Sequence, residues 1–289
     1  MPHSSTRQIW LCADDYGISP AVNAGIRELI ARGRLNATSV MVAAPHLDGG
    51  EAASLRLLNR QEKRAAIGLH VTLTAPFKPM SLGFAPLRDG GFLPVAEMLR
   101  AAMARRLKPE MLAIEIAAQL RAFVDAFGHL PDFVDGHQHV QLFPQVRDAF
   151  LKVVAELAPN AWVRQCGRAS SLRRLHDRKA LVLDILSVRF RRKAARQGLA
   201  TNPGFAGSYA FTSKANFAKI FPRFLAGLPD GGLIMCHPGF VDAALESLDS
   251  LTTLREHELA YFNSDAFPQS LAEHGVKLAR PAGNGEKAA

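Results

Sequence analysis

Residues 9–32 read IWLCADDYGISPAVNAGIRELIAR. The first five, Ile9 to Ala13, form an apolar run of strand length. Ser19 followed by Pro20 is the signature of an N-cap and a first helical position, and it predicts a helix running to about Arg32. Between strand and helix lie Asp14 and Asp15. One strand, an acidic turn and one capped helix make the repeating unit of an α/β protein.

The same alternation continues down the chain. Strands are predicted at 38–43, 67–73, 133–140, 162–164 and 232–236, with helices at 48–60, 95–106, 109–127, 144–157, 177–197, 213–228 and 248–263. A Pro/Gly-rich stretch at 74–94 and a segment at 201–208 read as loops, the first long enough to expect function or mobility of it. Such alternation implies right-handed βαβ units and a parallel sheet. About seven such strands favour a closed or nearly closed barrel over an open doubly wound sheet. The first strand is not followed by Gly-x-Gly-x-x-Gly, which argues against dinucleotide binding. The expected organisation is one TIM-barrel-like domain over residues 1–280 and a flexible Gly/Lys/Ala tail over 281–289.

Composition sets outer limits. At 289 residues, 48% hydrophobic and 21% charged, the chain has the make-up of an ordinary globule. It lacks the run of about 18 apolar residues that a membrane span needs and the h-region of a signal peptide, so a cytoplasmic location is expected. Cys12, Cys166 and Cys236 have no metal-ligand spacing and read as reduced, buried thiols. The net charge of +9 is local: residues 164–196 hold eleven bases against two acids, and the rest of the chain has 24 of each. A uniformly basic nucleic-acid coat is thereby excluded.

In a barrel of this kind chemistry lies where strands end. Four ends carry polar residues unsuited to burial: Asp14-Asp15, His70 after Gly68-Leu69, Asp135-Gly136-His137-Gln138-His139, and His237 after Cys236. Adjacent carboxylates repel unless a cation or a proton intervenes. The period of two along a strand puts Asp135, His137 and His139 all on one face, a donor set for a catalytic divalent cation. Each feature alone has a plainer reading, as a helix cap, a core histidine or a turn. Four independent strand ends in a chain with ten histidines outweigh those readings.

Ala13-Asp14-Asp15-Tyr16-Gly17, Gly68-Leu69-His70-Val71-Thr72-Leu73, Asp135-Gly136-His137-Gln138-His139-Val140 and Cys236-His237-Pro238-Gly239 together resemble the ordered motifs of the YdjC-like carbohydrate deacetylases. Gly204-Phe205-Ala206-Gly207 resembles a further loop between the third and fourth motifs, and Gln141 stands where members often carry another histidine. The resemblance implies an irregular (β/α) barrel and hydrolysis of the N-acetyl group of an amino sugar, on a chitooligosaccharide-like or lipid-linked glycan. It also implies a bound Mg2+ or Zn2+, with Asp15 and His70 as ligands and the third from His137 or His139. Metal-activated water would be the nucleophile, Asp14 the general base, His237 the general acid, and Asp135 the support of one histidine.

Substrate choice falls to the loops. Phe77, Phe84 and Phe92 are candidates for stacking on a sugar or for packing the 74–94 loop onto the barrel, and Arg164 for binding a sugar hydroxyl or an anionic group. The basic stretch 164–196 reads as a solvated helix face, or as a contact for anionic membrane lipid or a phosphorylated sugar. Exposed apolar helix faces would suit a homodimer. The rival functions are a barrel-type phosphoesterase or amidohydrolase, which needs more ligands than the chain offers, and a nucleic-acid binder, which lacks interleaved aromatics.

Overall fold

The computed structural model describes residues 6–168, 178–212 and 215–281. The expected tail beyond Pro281 lies outside them, as do the starts expected for the helices at 177 and 213. Strand β1 spans Arg7–Tyr16 and helix α1 Pro20–Ala31. Ser19 caps α1 as its sequence implies, its Oγ accepting from the Val22 amide at 3.2 Å. There follow β2 (Ala37–Val40), α2 (Gly49–Leu58), β3 (Ala66–Val71), α3 (Val95–Met103), α4 (Pro109–Phe127), β4 (Phe133–Gly136), α5 (Val146–Leu157), β5 (Trp162–Val163) and α6 (Arg178–Arg196). The chain continues through β6 (Phe205–Ala206), α7 (Phe217–Gly227), β7 (Leu233–Cys236), α8 (Ala243–Leu248), α9 (Thr253–Asn263), α10 (Ala266–Glu273) and β8 (Val276–Leu278).

The strands are parallel and lie in the order β5-β4-β3-β2-β1-β7-β6, with β8 added on β1. Single parallel bridges from Val163 to Thr201 and from Arg168 to Phe205 join the two outer strands. The sheet therefore curls round on itself, and the expected irregular (β/α) barrel is what the chain forms. The two central strands are buried along nearly their whole length, as both faces of a parallel sheet covered by helices must be. Gly68 permits one close approach, since a Cβ there would lie 2.3 Å from the Phe133 ring. Gly207 permits another, with φ at 111° and the Met235 carbonyl oxygen 2.1 Å from where its Cβ would be.

Two expectations change. The strand predicted at 133–140 stops at Gly136, because Gln138 and His139 adopt left-handed backbone (φ 54° and 62°) and turn the chain into a short 3-10 segment, His137–Leu142. The long 74–94 loop is pinned: the Glu115 carboxylate of α4 accepts from the Met80 and Ser81 amides and the Ser81 hydroxyl. Phe77, Phe84 and Phe92 are all buried beneath it, Phe84 edge-on to Phe92 at 5.1 Å. The three cysteines are free and buried. Among the described residues no helix is long and apolar enough to cross a membrane.

Candidate active site

The register of the sheet assembles the site. Ala13 pairs with Cys236 across β1 and β7, and His70 with Asp135 across β3 and β4, so Asp14, Asp15, His70, Asp135 and His237 all emerge at the same end of the barrel. Asp15 Oδ1 lies 3.0 Å from His137 Nδ1 and 3.5 Å from His70 Nε2. These are the separations expected between neighbouring ligands of a cation with bonds of about 2.1 Å. Among the described residues Asp15, His70 and His137 form a group whose ligand atoms lie within 4.8 Å of one another, all buried.

The surroundings fit that donor set. His70 Nδ1 is 2.6 Å from Asp135 Oδ1 and 3.0 Å from Ser39 Oγ, so Nδ1 is engaged there and Nε2 is the ring nitrogen that faces Asp15. Burial pulls the His70 pKa down, but Asp135 and Asp14 outweigh it and push it up to about 10. Asp15 is held well below the ordinary carboxylate range: burial raises its pKa, and Arg255 with the bonds to His137 and His70 overcomes that. The first shift reflects the carboxylates around His70, the second the positive charge and hydrogen-bond donors that face Asp15.

A second cluster, Cys12, Asp14 and Asp135, also meets the distance criterion for a cation. Its cation is already present as Arg164. That side chain is fully buried and contacts Asp14 Oδ1 and Oδ2 and Asp135 Oδ2 at 2.6 Å each, and Cys12 Sγ at 3.0 Å. The expected substrate role of Arg164 is corrected on that ground, for the guanidinium has no exposed surface to offer a ligand. Phe77 is likewise 4% exposed and sets its ring edge-on to His137 at 5.7 Å, a wall for that imidazole with no face free for a sugar.

The single face expected for Asp135, His137 and His139 does not exist, because the strand ends between them. Left-handed backbone at Gln138 and His139 sends the two histidines apart. His137 goes to Asp15, and His139 to Cys166 Sγ (3.5 Å from Nδ1) and the Phe205 ring. Burial and Arg164 press the His139 pKa down to about 3, so its imidazole is neutral. Gln141 turns inward and donates to the Arg164 carbonyl at 3.2 Å. His237 sets its ring against Phe211 and keeps a buried Nδ1 without a partner among the described residues. Burial and Arg255 hold it toward the neutral form, against Asp15 and Asp14.

Sequence reasoning missed the contribution of α9. Arg255 and Glu258, at 0% and 1% exposure, face inward with Leu254, Leu259 and Phe262. Arg255 Nη2 donates to Asp15 Oδ2 at 2.7 Å, and Glu258 accepts from the Tyr209 hydroxyl at 2.6 Å and the His237 amide at 2.5 Å. Two opposite charges three residues apart, breaking an apolar helix stripe, were the available signal.

The model of the YdjC-like protein family matches residues 8–273. The chain is 29% identical over 266 residues to a chitooligosaccharide deacetylase of Klebsiella pneumoniae (strain 342), covering 92% of this chain and 94% of that protein. It is 28% identical over 274 residues to a carbohydrate deacetylase of Clostridium beijerinckii, covering 92% and 95%. Among solved structures, a candidate cellobiose-phosphate cleavage protein of Enterococcus faecalis V583 superposes with a TM-score of 0.71 at 21% identity, over 96% of this chain and 98% of that one. That last likeness speaks for the fold.

Proposed function

The chain belongs to the YdjC-like protein family, and from that membership and the geometry we propose that it is a metal-dependent carbohydrate deacetylase acting on an N-acetylated amino sugar. The observation that carries the reading is the convergence of Asp15, His70 and His137, from three separate strand ends, on one point beside Asp14. The names of the relatives quoted above supply the substrate class. Two imidazoles and one carboxylate suit zinc better than magnesium, whose preference is for oxygen.

An acetamide is a poor electrophile, so its hydrolysis requires an activated water, a stabilised oxyanion and a proton for the departing amine. When bound, the cation supplies Lewis acidity toward the carbonyl oxygen and toward water. Asp14, adjoining Asp15 in the chain, accepts the proton of the attacking water. Arg164 fixes the orientation of that carboxylate through both its oxygens. His237 delivers a proton to the amine as the C–N bond breaks. Asp135 and Ser39 hold His70 in one tautomer.

A specific observation favours a second assignment of the proton work. Asp14 spends both oxygens on Arg164, whereas His237 is held neutral with a free ring nitrogen. In that reading His237 takes the proton from water and then passes it to the amine, and Asp14 serves as an anchor. Acetate release from N-acetylglucosamine mono-, di- and lipid-linked substrates, with metal analysis of the protein used, tests the function. Release of phosphate from phosphoesters in place of acetate would refute it.

The basic stretch bears on where the reaction takes place. On α6 the exposed Leu181, Val182 and Ile185 share a face with the exposed Arg189, Arg192 and Arg196. Apolar residues followed by cations suit the surface of an anionic bilayer, with the arginines at headgroup level. Co-sedimentation with phosphatidylglycerol vesicles but not phosphatidylcholine vesicles is expected, and equal behaviour toward both would remove this contact from the proposal.

A further inference from the structure

We propose that Arg255 is a positioning residue for the cation site, one that makes Asp15 a ligand through a single oxygen; the inference rests on the metal reading above. Asp15 has φ at 69°, in the left-handed region, at the point where the β1–β2 register slips between Ala13 and Tyr16. A non-glycine residue persists there when its surroundings over-determine it. Arg255 is the strongest of those surroundings. Its Nη2 lies 2.7 Å from Asp15 Oδ2 and 2.6 Å from Asp249 Oδ2, and its Nε donates to the Leu251 carbonyl at 2.8 Å. The backbone carbonyl of the same residue accepts from Gly239 at 3.2 Å, which ties α9 to the loop that follows His237.

The consequence for Asp15 is an unequal pair of oxygens. Oδ2 is taken by the guanidinium, and Oδ1 alone faces His137 and His70. A carboxylate free to rotate would offer either oxygen or both. One bound through Nη2 of a fully buried guanidinium, itself anchored by Asp249 and the Leu251 carbonyl, offers one, always in the same direction.

Orientation and charge act in opposite directions here, and that separates them. As a bare positive charge beside the site, Arg255 would weaken cation binding, so its removal would tighten it. As a support for Asp15 it strengthens binding, so its removal weakens it. Arg255→Lys keeps the charge and loses the Nε anchor on Leu251 that orients the guanidinium; Arg255→Met loses both.

The test titrates Zn2+ against a competing chelator into the metal-stripped full chain, wild type and both variants, with melting curves of the metal-free forms. Both variants should bind zinc about 10- to 100-fold more weakly. With Co2+, the visible bands of Arg255→Lys should change in intensity as a second carboxylate oxygen enters the coordination sphere. A lysine variant that binds zinc as wild type does, with an unchanged Co2+ spectrum, would show that a charge suffices and overturn the inference. So would tighter binding by the methionine variant. If Arg255→Met does not fold, the lysine variant and its Co2+ spectrum decide alone. A wild-type chain that takes up no metal would overturn the metal reading itself, an outcome distinct from either.

Discussion

Arg164 holds Asp14 by both carboxylate oxygens, Nη1 to Oδ2 and Nη2 to Oδ1, at 2.6 Å each. Both groups are buried, so the pair is a fixed part of the barrel floor and the Asp14 carboxylate has one orientation. If Asp14 is the base, Asp14→Asn should lower kcat by about 100-fold or more. Metal content should stay near one per chain, because Asp15 and not Asp14 meets His70 and His137. Loss of metal in this variant would exchange the two aspartates. Turnover above a tenth of wild type would favour His237 as both base and acid.

The two histidines of the Asp135-to-His139 segment should separate in the same assay. His137 lies 3.0 Å from Asp15, while His139 points to Cys166 and Phe205. His137→Ala should therefore abolish stoichiometric zinc binding, and His139→Ala should retain it. Equal loss in both would mean that the segment rearranges around the cation.

That division was invisible in the sequence, and the reason is local. The barrel, its strand ends and the candidate metal-binding motifs could be read because apolar runs, the Ser19-Pro20 cap and the Asp-Asp and histidine pairs are signals within a few residues of one another. The turn at Gln138 and His139 carries no glycine or proline to announce left-handed backbone. Period-two reasoning thus ran through a strand that had already ended. Arg164 was misread for a different cause: its position just after a strand was legible, but its partners Asp14 and Asp135 are distant in sequence and meet it only in the curled sheet. Arg255 and Glu258 escaped because helix periodicity shows which face is buried without showing what that face touches.

The charge that marks residues 164–196 should be separable from the chemistry. Lys193 pairs with Asp148 at a site where both are more than 40% exposed, and such pairs contribute about 1 kcal/mol or less. Replacing Arg189, Arg191, Arg192 and Lys193 together by glutamine should leave kcat/KM on a soluble N-acetylglucosamine dimer within about twofold, by the same screening argument. It should also abolish any binding to anionic vesicles. A tenfold fall on the soluble substrate would place α6 at the reacting groups.

Glu258 should set a pH dependence of stability. Burial pushes its carboxyl up to about 7, from 4.5 in an unfolded chain, even though Tyr209, the His237 amide and Arg255 pull it down. The folded state thus holds this proton more tightly than the unfolded one. Its stabilising contribution is complete below pH 4.5 and is lost as pH rises through 7. A difference of that size corresponds to about 3 kcal/mol between the two limits. In Glu258→Gln the side-chain oxygen can accept from the His237 amide and the new amide can donate to Tyr209, so both contacts survive with the Tyr209 hydroxyl turned. Urea unfolding of the metal-free protein at pH 5 and pH 8 should show the wild type losing more stability across that interval than the variant does. Parallel pH curves for the two proteins would show that Glu258 is ionised throughout, with its charge already met by Arg255.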